Sequence, residues 1–405
     1  MSFFKQTIRS VPLGGQTVLV RADYNVPLEQ DGTIADDFRI RSSLPTIKEL
    51  LKDGCKVVII SHLGRPEGRD PRFSLEPVAQ RLAELLGEPV RFVDQTVGDK
   101  VKMAIKRAPK RSVIMLENLR FHPEEEANDS TFAEKLAAGS TARYFVQDGF
   151  GVVHRAHAST AAITQFLPSV AGLLLEREYT TITEVMEKPE QPLVAVLGGA
   201  KVSDKISVIE AFIKTADKII IGGVMANTFL AYRGISIGKS KFEPDEAAII
   251  EGIYEAARER TGDKVDEFIV LPRDVAVASA FDASEPRQCK DIEEVKDGDI
   301  ILDLGDKSIE AVAEIVKGAK TVVWSGTLGM AEFPHFAHGS ARLALTLATN
   351  PQITSVIGGG DTADFVLHWD ARGGDSFTHV STGGSASLEL MAGQKLPGIE
   401  SLLDA

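Results

Sequence analysis

The stretch whose residue types most plainly suit chemistry is Leu197-Gly198-Gly199-Ala200-Lys201-Val202-Ser203-Asp204-Lys205. An apolar run at residues 193–196 predicts a buried strand before it, and a periodic run at residues 206–213 predicts a helix after it. Glycines at a strand-to-helix turn let backbone approach a ligand closely. Lys201 and Lys205 are four apart, which predicts both on one face of a helix start. Unpaired N–H groups, the positive end of the helix dipole and two ammonium groups would converge there on an anion, most naturally a phosphate. An ordinary βα turn with two solvated lysines shares this pattern, so the rest of the chain has to decide between the two.

Basic residues recur at other strand ends. Strands are predicted at residues 17–20, 56–60, 113–116 and 143–146, each leading into a segment with an arginine: Arg21, Arg65, Arg120 and Arg155. His62 and His157 accompany them, and Arg39 opens the helix expected within residues 39–52, whose start Pro45 blurs. Ligands of open α/β sheets bind outside the carboxyl ends of the strands. A single arginine is usually a surface ion pair. Recurrence of the same placement points instead to one polyanion pocket, where guanidinium suits a bidentate grip on phosphate or carboxylate.

After Pro192 the strand ends change character. Strands predicted at 218–221, 321–324, 353–357 and 377–380 lead into Gly222-Gly223, Ser325-Gly326-Thr327, Gly358-Gly359-Gly360-Asp361-Thr362 and Ser381-Thr382-Gly383-Gly384-Ser385. Glycine replaces arginine, which suits backbone lying against a flat or phosphorylated ligand. Asp361, between a glycine run and an expected helix, fits either a Mg²⁺ ligand or a helix N-cap.

The elements that must position these residues alternate between short apolar runs and helical patterns, which predicts an α/β fold with parallel sheets. Ser74 is expected to cap a helix ending at Leu86 before Gly87. Residues 169–188 read as a helix, and Pro189 and Pro192 follow it, marking a domain boundary. The domains expected are 1–170 with the tail 393–405, an interdomain helix at 171–188, and 189–392.

With 405 residues the chain can build two full cores, and 43% hydrophobic with 25% charged residues is ordinary for a globular protein. A net charge of −13 argues against a general nucleic-acid or anionic-membrane binder. No apolar run nears the roughly 18 residues of a membrane span, and the N-terminus lacks a signal-peptide pattern. Cys55 and Cys289 form no metal or redox motif and are expected as small core fillers in a reducing compartment. A cytoplasmic location is therefore expected. Gly234-Ile235-Ser236-Ile237-Gly238-Lys239-Ser240 has one residue too few for a Walker A loop and is read as a plain loop. His154 and His157, like His335 and His338, are three apart, with no further ligand completing a zinc set. Glu124-Glu125-Glu126 reads as a solvated loop or helix start.

An arginine-lined pocket and a glycine-rich pocket with a lysine pair and a candidate Mg²⁺ ligand together suit phosphoryl transfer between a nucleotide and a small acid. A carboxylate acceptor is already ionised at neutral pH and needs no general base. Substrates on separate domains would need hinge closure to meet.

The motifs Arg21-Ala22-Asp23-Tyr24-Asn25-Val26-Pro27, Ser61-His62-Leu63-Gly64-Arg65-Pro66, Leu116-Glu117-Asn118-Leu119-Arg120-Phe121, His154-Arg155-Ala156-His157, the Leu197-to-Lys205 stretch and Gly358-Gly359-Gly360-Asp361-Thr362 are collinear. In that order, across nearly the whole chain, they resemble the phosphoglycerate kinase family. The resemblance implies two doubly wound, Rossmann-like parallel-sheet domains joined by a helix and hinge. It implies reversible transfer from 1,3-bisphosphoglycerate to Mg-ADP, giving 3-phosphoglycerate and Mg-ATP, a step of glycolysis and gluconeogenesis. Transfer is direct and in line, in a monomer.

By the same resemblance, Asp23, Asn25, Arg39, His62, Arg65, Arg120 and Arg155 hold 3-phosphoglycerate, with His157 supporting the basic patch. Arg39, Lys201, Lys205, Gly360 and Gly384 form the catalytic set. Lys201, Lys205, Gly222, Gly223, Glu332, Gly359, Gly360, Asp361 and Thr362 bind the nucleotide, Glu332 at the ribose and Asp361 through Mg²⁺. The tail, about residues 396–405, returns to the first domain. The family's Asn-Gly-Pro is here Ser325-Gly326-Thr327, its Asn-Asp-Ala-Phe-Gly is Gln147-Asp148-Gly149-Phe150-Gly151, and its third C-terminal glycine is Ser385. The first and third departures fall on the nucleotide side. They motivate one alternative, a nucleotide-binding paralogue with reduced or lost catalysis.

Overall fold

A computed structural model describes residues 3–405. It divides into two compact units, Met1–Thr180 with Lys395–Ala405, and Thr181–Gln394. The division falls inside the helix Leu173–Glu187.

The first unit is built on a six-stranded parallel sheet. Its strands are β1 (Thr17–Arg21), β2 (Lys56–Ile60), β3 (Val90–Val93), β4 (Ser112–Leu116), β5 (Tyr144–Gln147) and β6 (Ser169–Ala171), in spatial order β3-β4-β2-β1-β5-β6. Parallel strands covered on both faces read as unbroken apolar runs because successive side chains enter opposite cores. Val18 and Val20 of β1 and Val57 and Ile59 of β2 enter one core, while Leu19, Val58 and Ile60 enter the other. The helix Phe38–Lys52 closes the first face with Ile40, Ile47, Leu50 and Leu51, and carries Pro45 in its interior.

The second unit repeats this plan. Strands β7 (Leu193–Leu197), β8 (Lys218–Ile221), β9 (Ile269–Val270), β13 (Thr321–Ser325), β14 (Thr354–Gly358) and β15 (His379–Val380) form a parallel sheet ordered β15-β14-β13-β7-β8-β9. A separate antiparallel sheet, β11-β10-β12, comprises β10 (Asp274–Ala278), β11 (Gln288–Asp291) and β12 (Ile300–Leu304). From β7 the chain builds outward to β8 and β9, then returns to the other side with β13. The crevice between the carboxyl ends of β7 and β13 is therefore a topological switch point, the standard ligand position of such sheets.

Several sequence expectations need correction. Residues 169–188 are not one helix. Ser169–Ala171 pairs with β5, and the helix starts at Leu173. Gly172 lies between them, where a Cβ would come 2.1 Å from an Asp148 carboxylate oxygen. A further strand, β3, which the sequence reading does not predict, lies between β2 and β4 along the chain. As an edge strand carrying exposed Arg91 it lacks the buried-strand pattern. The helix Glu76–Leu86 has Leu75, not Ser74, at its N-cap, although the Ser74 hydroxyl still accepts the Glu76 N–H at 3.3 Å. Gly87 ends it in the left-handed region, φ 68°. Cys55 is buried as expected, but Cys289 is exposed on β11. The Gly234–Ser240 segment is a loop. No helix among the described residues is long and apolar enough to cross a membrane.

Candidate active site

The first unit brings the arginine-bearing strand ends together. β4, β2, β1 and β5 are contiguous in its sheet, so the segments after them share one edge. Asn118 ties two of these segments. Its amide donates to Leu63 O at 2.8 Å and Phe73 O at 2.9 Å, while its oxygen accepts Arg120 N–H at 3.0 Å. Asn25 Oδ1 accepts Gly64 N–H at 2.8 Å, joining the segments after β1 and β2.

The side chains differ in how free they are. Arg39 pairs with Asp23 and is about a quarter exposed. Arg65 is exposed and makes no side-chain hydrogen bond among the described residues. Arg120 is mostly buried, donating to Gly64 O at 2.7 Å and lying 3.2 Å from Glu126 Oε1. Arg155 donates to His154 Nε2 at 3.0 Å. Burial, together with Arg155 and Arg65, pushes the Arg120 pKa down, against the opposing pull of Glu126 and Asp23. Arg21, read from sequence as one of four pocket arginines, is instead turned into the protein, 1% exposed and hydrogen-bonded throughout.

Burial first, then the surrounding guanidinium groups, holds the His62 pKa well below its ordinary value. Burial, then Arg21, Arg120 and Arg155, push His157 down to about 4. Both rings are therefore neutral at physiological pH. Glu125 overturns the expectation of a solvated acidic run. It is fully buried, accepts Ser159 N–H at 3.0 Å and Ser159 O–H at 2.5 Å, and lies 3.8 Å from Arg21. Its exposed neighbours Glu124 and Glu126 hide the signal, since one buried acid in an acidic triplet has no sequence mark.

In the second unit the lysine stretch does not take the expected form. A 3₁₀ turn, Ser203–Lys205, precedes the helix Ile206–Thr215, so Lys201 and Lys205 do not share a helix face. Nor are the leading N–H groups free. Glu243 Oε2 accepts from Val202 N at 2.5 Å and lies 3.4 Å from Ser203 N. A carboxylate from elsewhere in the same unit meets the demand that helix-start donors make for negative charge. Lys201 is exposed, with no side-chain partner among the described residues.

Lys205 lies over the switch point. Its ammonium donates to Gly198 O at 2.7 Å and Ser325 O at 2.6 Å, joining the ends of β7 and β13. Burial lowers its pKa to about 8, against the opposing pull of Asp361 and Asp204. Gly198 and Gly223 are glycines for a reason other than ligand approach. A Cβ at Gly198 would come 2.1 Å from Thr327 O, and one at Gly223 2.8 Å from Gly199 N. The loops after β7, β8 and β13 pack backbone on backbone.

Next to them, a cleft of about 170 Å³ is lined by Val275, Phe281, Leu302 and Leu328, with Gly223, Glu332 and Asp361 also on its wall. Asp361 is in the first turn of the helix Gly360–Trp369, exposed, and has no hydrogen-bond partner among the described residues. The N-cap is Gly359, φ 92°, not Asp361. Thr362 Oγ1 accepts Gly326 N–H at 2.6 Å, and the Ser325 hydroxyl is buried without a hydrogen-bond partner among the described residues. Gly222 precedes the helix Gly223–Tyr232, and Gly384 caps Ser385–Met391 at φ 53°. Gly360 and Gly384 both face open space. Sequence reading missed Asp303. Its pKa is pushed up to about 7 by burial, and it accepts Leu304 N–H at 2.8 Å and Gly339 N–H at 3.0 Å beside the cleft. The available signal was an acid within the apolar run of β12.

Comparison with known proteins bears on both units. A family model described as Phosphoglycerate kinase matches residues 8–394. A phosphoglycerate kinase of Dictyoglomus turgidum is 45% identical over 397 residues, covering 98% of each chain. One from Nostoc punctiforme is 44% identical over 402 residues, again covering 98% of each. The solved phosphoglycerate kinase structure from Coxiella burnetii superposes with TM-score 0.83 at 34% identity, covering 98% of each chain. That from Pyrococcus horikoshii OT3 gives 0.84 at 30% identity, with the same coverage.

Proposed function

The chain belongs to the phosphoglycerate kinase family, and from that premise we propose how its own residues divide the work. The reaction is that of the family, transfer of a phosphoryl group between 1,3-bisphosphoglycerate with ADP and 3-phosphoglycerate with ATP. The enzyme is a phosphotransferase with a carboxyl group as acceptor, acting in glycolysis.

In our reading, Asp23, Asn25, Arg39, His62, Arg65, Arg120 and Arg155 of the first unit bind 3-phosphoglycerate, with Arg39 facing the group in transit. Lys201, Lys205, Gly222, Gly223, Glu332, Gly359, Gly360, Asp361 and Thr362 of the second bind the nucleotide, and Gly384 joins Gly360 near the moving phosphoryl. The observation that carries this is Lys205. Its ammonium is held over the β7/β13 switch point, beside the glycine turn of Asp361 and the cleft.

An exposed carboxylate with no hydrogen-bond partner among the described residues, next to that turn, fits Mg²⁺, which takes one or two protein carboxylates and completes its shell with phosphate oxygens and water. Asp361 would hold it, and bound Mg²⁺ would neutralise charge on the nucleotide phosphates. The 3-phosphoglycerate carboxylate oxygen forms a bond to the γ-phosphorus as the bond to the ADP oxygen breaks. No proton moves, so positioning and charge stabilisation suffice. Because the ligand groups lie on two units, we infer closure about the segment containing Leu173–Glu187. A net charge of −13, with arginines recurring at the strand ends of the first unit, supports small-molecule substrates rather than nucleic acid. A monomer in the cytoplasm is the accompanying reading.

The test is incubation with ATP, Mg²⁺ and 3-phosphoglycerate. ADP formation that requires all three is expected. ADP binding by calorimetry without turnover would instead indicate a paralogue that has lost catalysis.

A further inference from the structure

Behind the basic pocket lies a buried polar chain to which the transfer step assigns no role. Arg21 donates Nε–H to Ser159 Oγ at 2.7 Å and an Nη1–H to Ala22 O at 2.5 Å. Its Nη2 lies 3.2 Å from His62 Nδ1. A guanidinium has donors and no acceptor. The contact is a hydrogen bond only if His62 Nδ1 presents its lone pair. A neutral imidazole with that lone pair carries its hydrogen on Nε2. His62 Nε2 has no partner among the described residues, so this hydrogen is available to a ligand.

The groups facing His62 favour that form. Arg21 ends β1, Arg39 opens the next helix, Arg120 follows β4 and His157 follows β5. All oppose a second positive charge. The opposing carboxylate, Asp23 Oδ1, lies 3.9 Å from Nδ1, beyond hydrogen-bond reach, and is paired with Arg39. Arg21 is itself balanced from behind by the buried Glu125, through Ser159, which accepts from Arg21 and donates to Glu125 Oε1.

We propose that Arg21 is a positioning residue that locks His62 in the neutral Nε2–H tautomer, so that His62 offers its substrate one uncharged hydrogen bond. Glu125 supplies the countercharge that lets a guanidinium stay buried there. The inference rests on the reading that His62 faces 3-phosphoglycerate, and it deepens it. A histidine held this way keeps its donor over the whole neutral pH range, whereas an imidazolium contact would fade as pH rose.

Long-range ¹H–¹⁵N spectra of the full chain, with His62→Asn for assignment, test it without turnover. The expected result is the unprotonated Nε2–H tautomer across the neutral pH range. Arg21→Lys, also donor-only, should keep the tautomer and a near-native KM. Arg21→Met combined with Glu125→Gln removes both buried charges together. It should release the tautomer and raise KM for 3-phosphoglycerate about tenfold, as for one lost hydrogen bond to a charged ligand, with a much smaller change in kcat. A Nδ1–H tautomer or an imidazolium in the unsubstituted protein would overturn the proposal, and so would an unchanged tautomer in the double variant. The expected tautomer in a protein that binds no 3-phosphoglycerate would instead refute the site reading on which it rests.

Discussion

Arg39 and Lys205 are cations in opposite circumstances. Arg39 is partly exposed and paired with Asp23, so it can exchange that partner for a more negative one. Arg39→Ala should lower kcat by about two to three orders of magnitude, as for loss of a donor to developing charge, and change KM far less. Steady-state kinetics with both substrates varied would check this, and a change confined to KM would assign Arg39 to ground-state binding. Lys205 is buried and titrates at about 8. Only the ammonium attracts phosphate, so ADP affinity should fall as pH rises through about 8, and calorimetry across that range would show it. The stability trend runs the other way. Between about pH 8 and the ordinary value of 10.5 the unfolded chain holds a proton that the folded chain lacks, so this residue's contribution to stability rises with pH. Lys205→Met should abolish both trends.

The loops at the strand ends of the second unit are built by contact between backbones. Gly198→Ala would press a methyl into Thr327 O, where backbone must move to admit it. The expected result is a loss of about 1–3 kcal/mol of stability, as for overpacking, with weaker ADP binding, because Lys205 uses the carbonyl of this same residue. Chemical denaturation together with ADP titration would check it, and unaltered binding would separate the packing from the site. Element identity was legible because both sheets are buried on two faces. β1, β2 and β7 all read as apolar runs. What was not legible depended on partners distant in sequence. Glu243 meets the helix-start donors from about 40 residues away, Glu125 is buried only because Arg21 is, and β6 is a strand only because β5 accepts it. The exposed edge strand β3 carries no pattern to find.

Across the whole molecule, both chain ends belong to the first unit. Lys5, 6% exposed, donates its three ammonium hydrogens to Glu400 O, Leu402 O and Asp404 Oδ1 at 2.6–2.9 Å. Backbone bonds link Gln6 to Leu403 O, Leu403 to Ser169 O and Gly398 to Val153 O. The return of the tail, implied by family resemblance, thus has a physical cause: a buried ammonium that needs three acceptors. Removing residues 397–405 should destabilise the first unit by about 3–5 kcal/mol, as for breaking a buried charged contact. It should leave ADP affinity of the second unit unchanged. Thermal unfolding and calorimetry on the truncated chain would separate the two, and a loss of both would show that the tail also supports the nucleotide side.

The same closure sets an order on biosynthesis. Thr181–Gln394 is one uninterrupted segment, so all of it is synthesised before residues 395–405. The first unit begins emerging earlier yet lacks residues 395–405 until the whole of the second unit has been made. The half that starts first is completed after the other, and the two carbonyls and one carboxylate that hold Lys5 are made after every residue of the second unit.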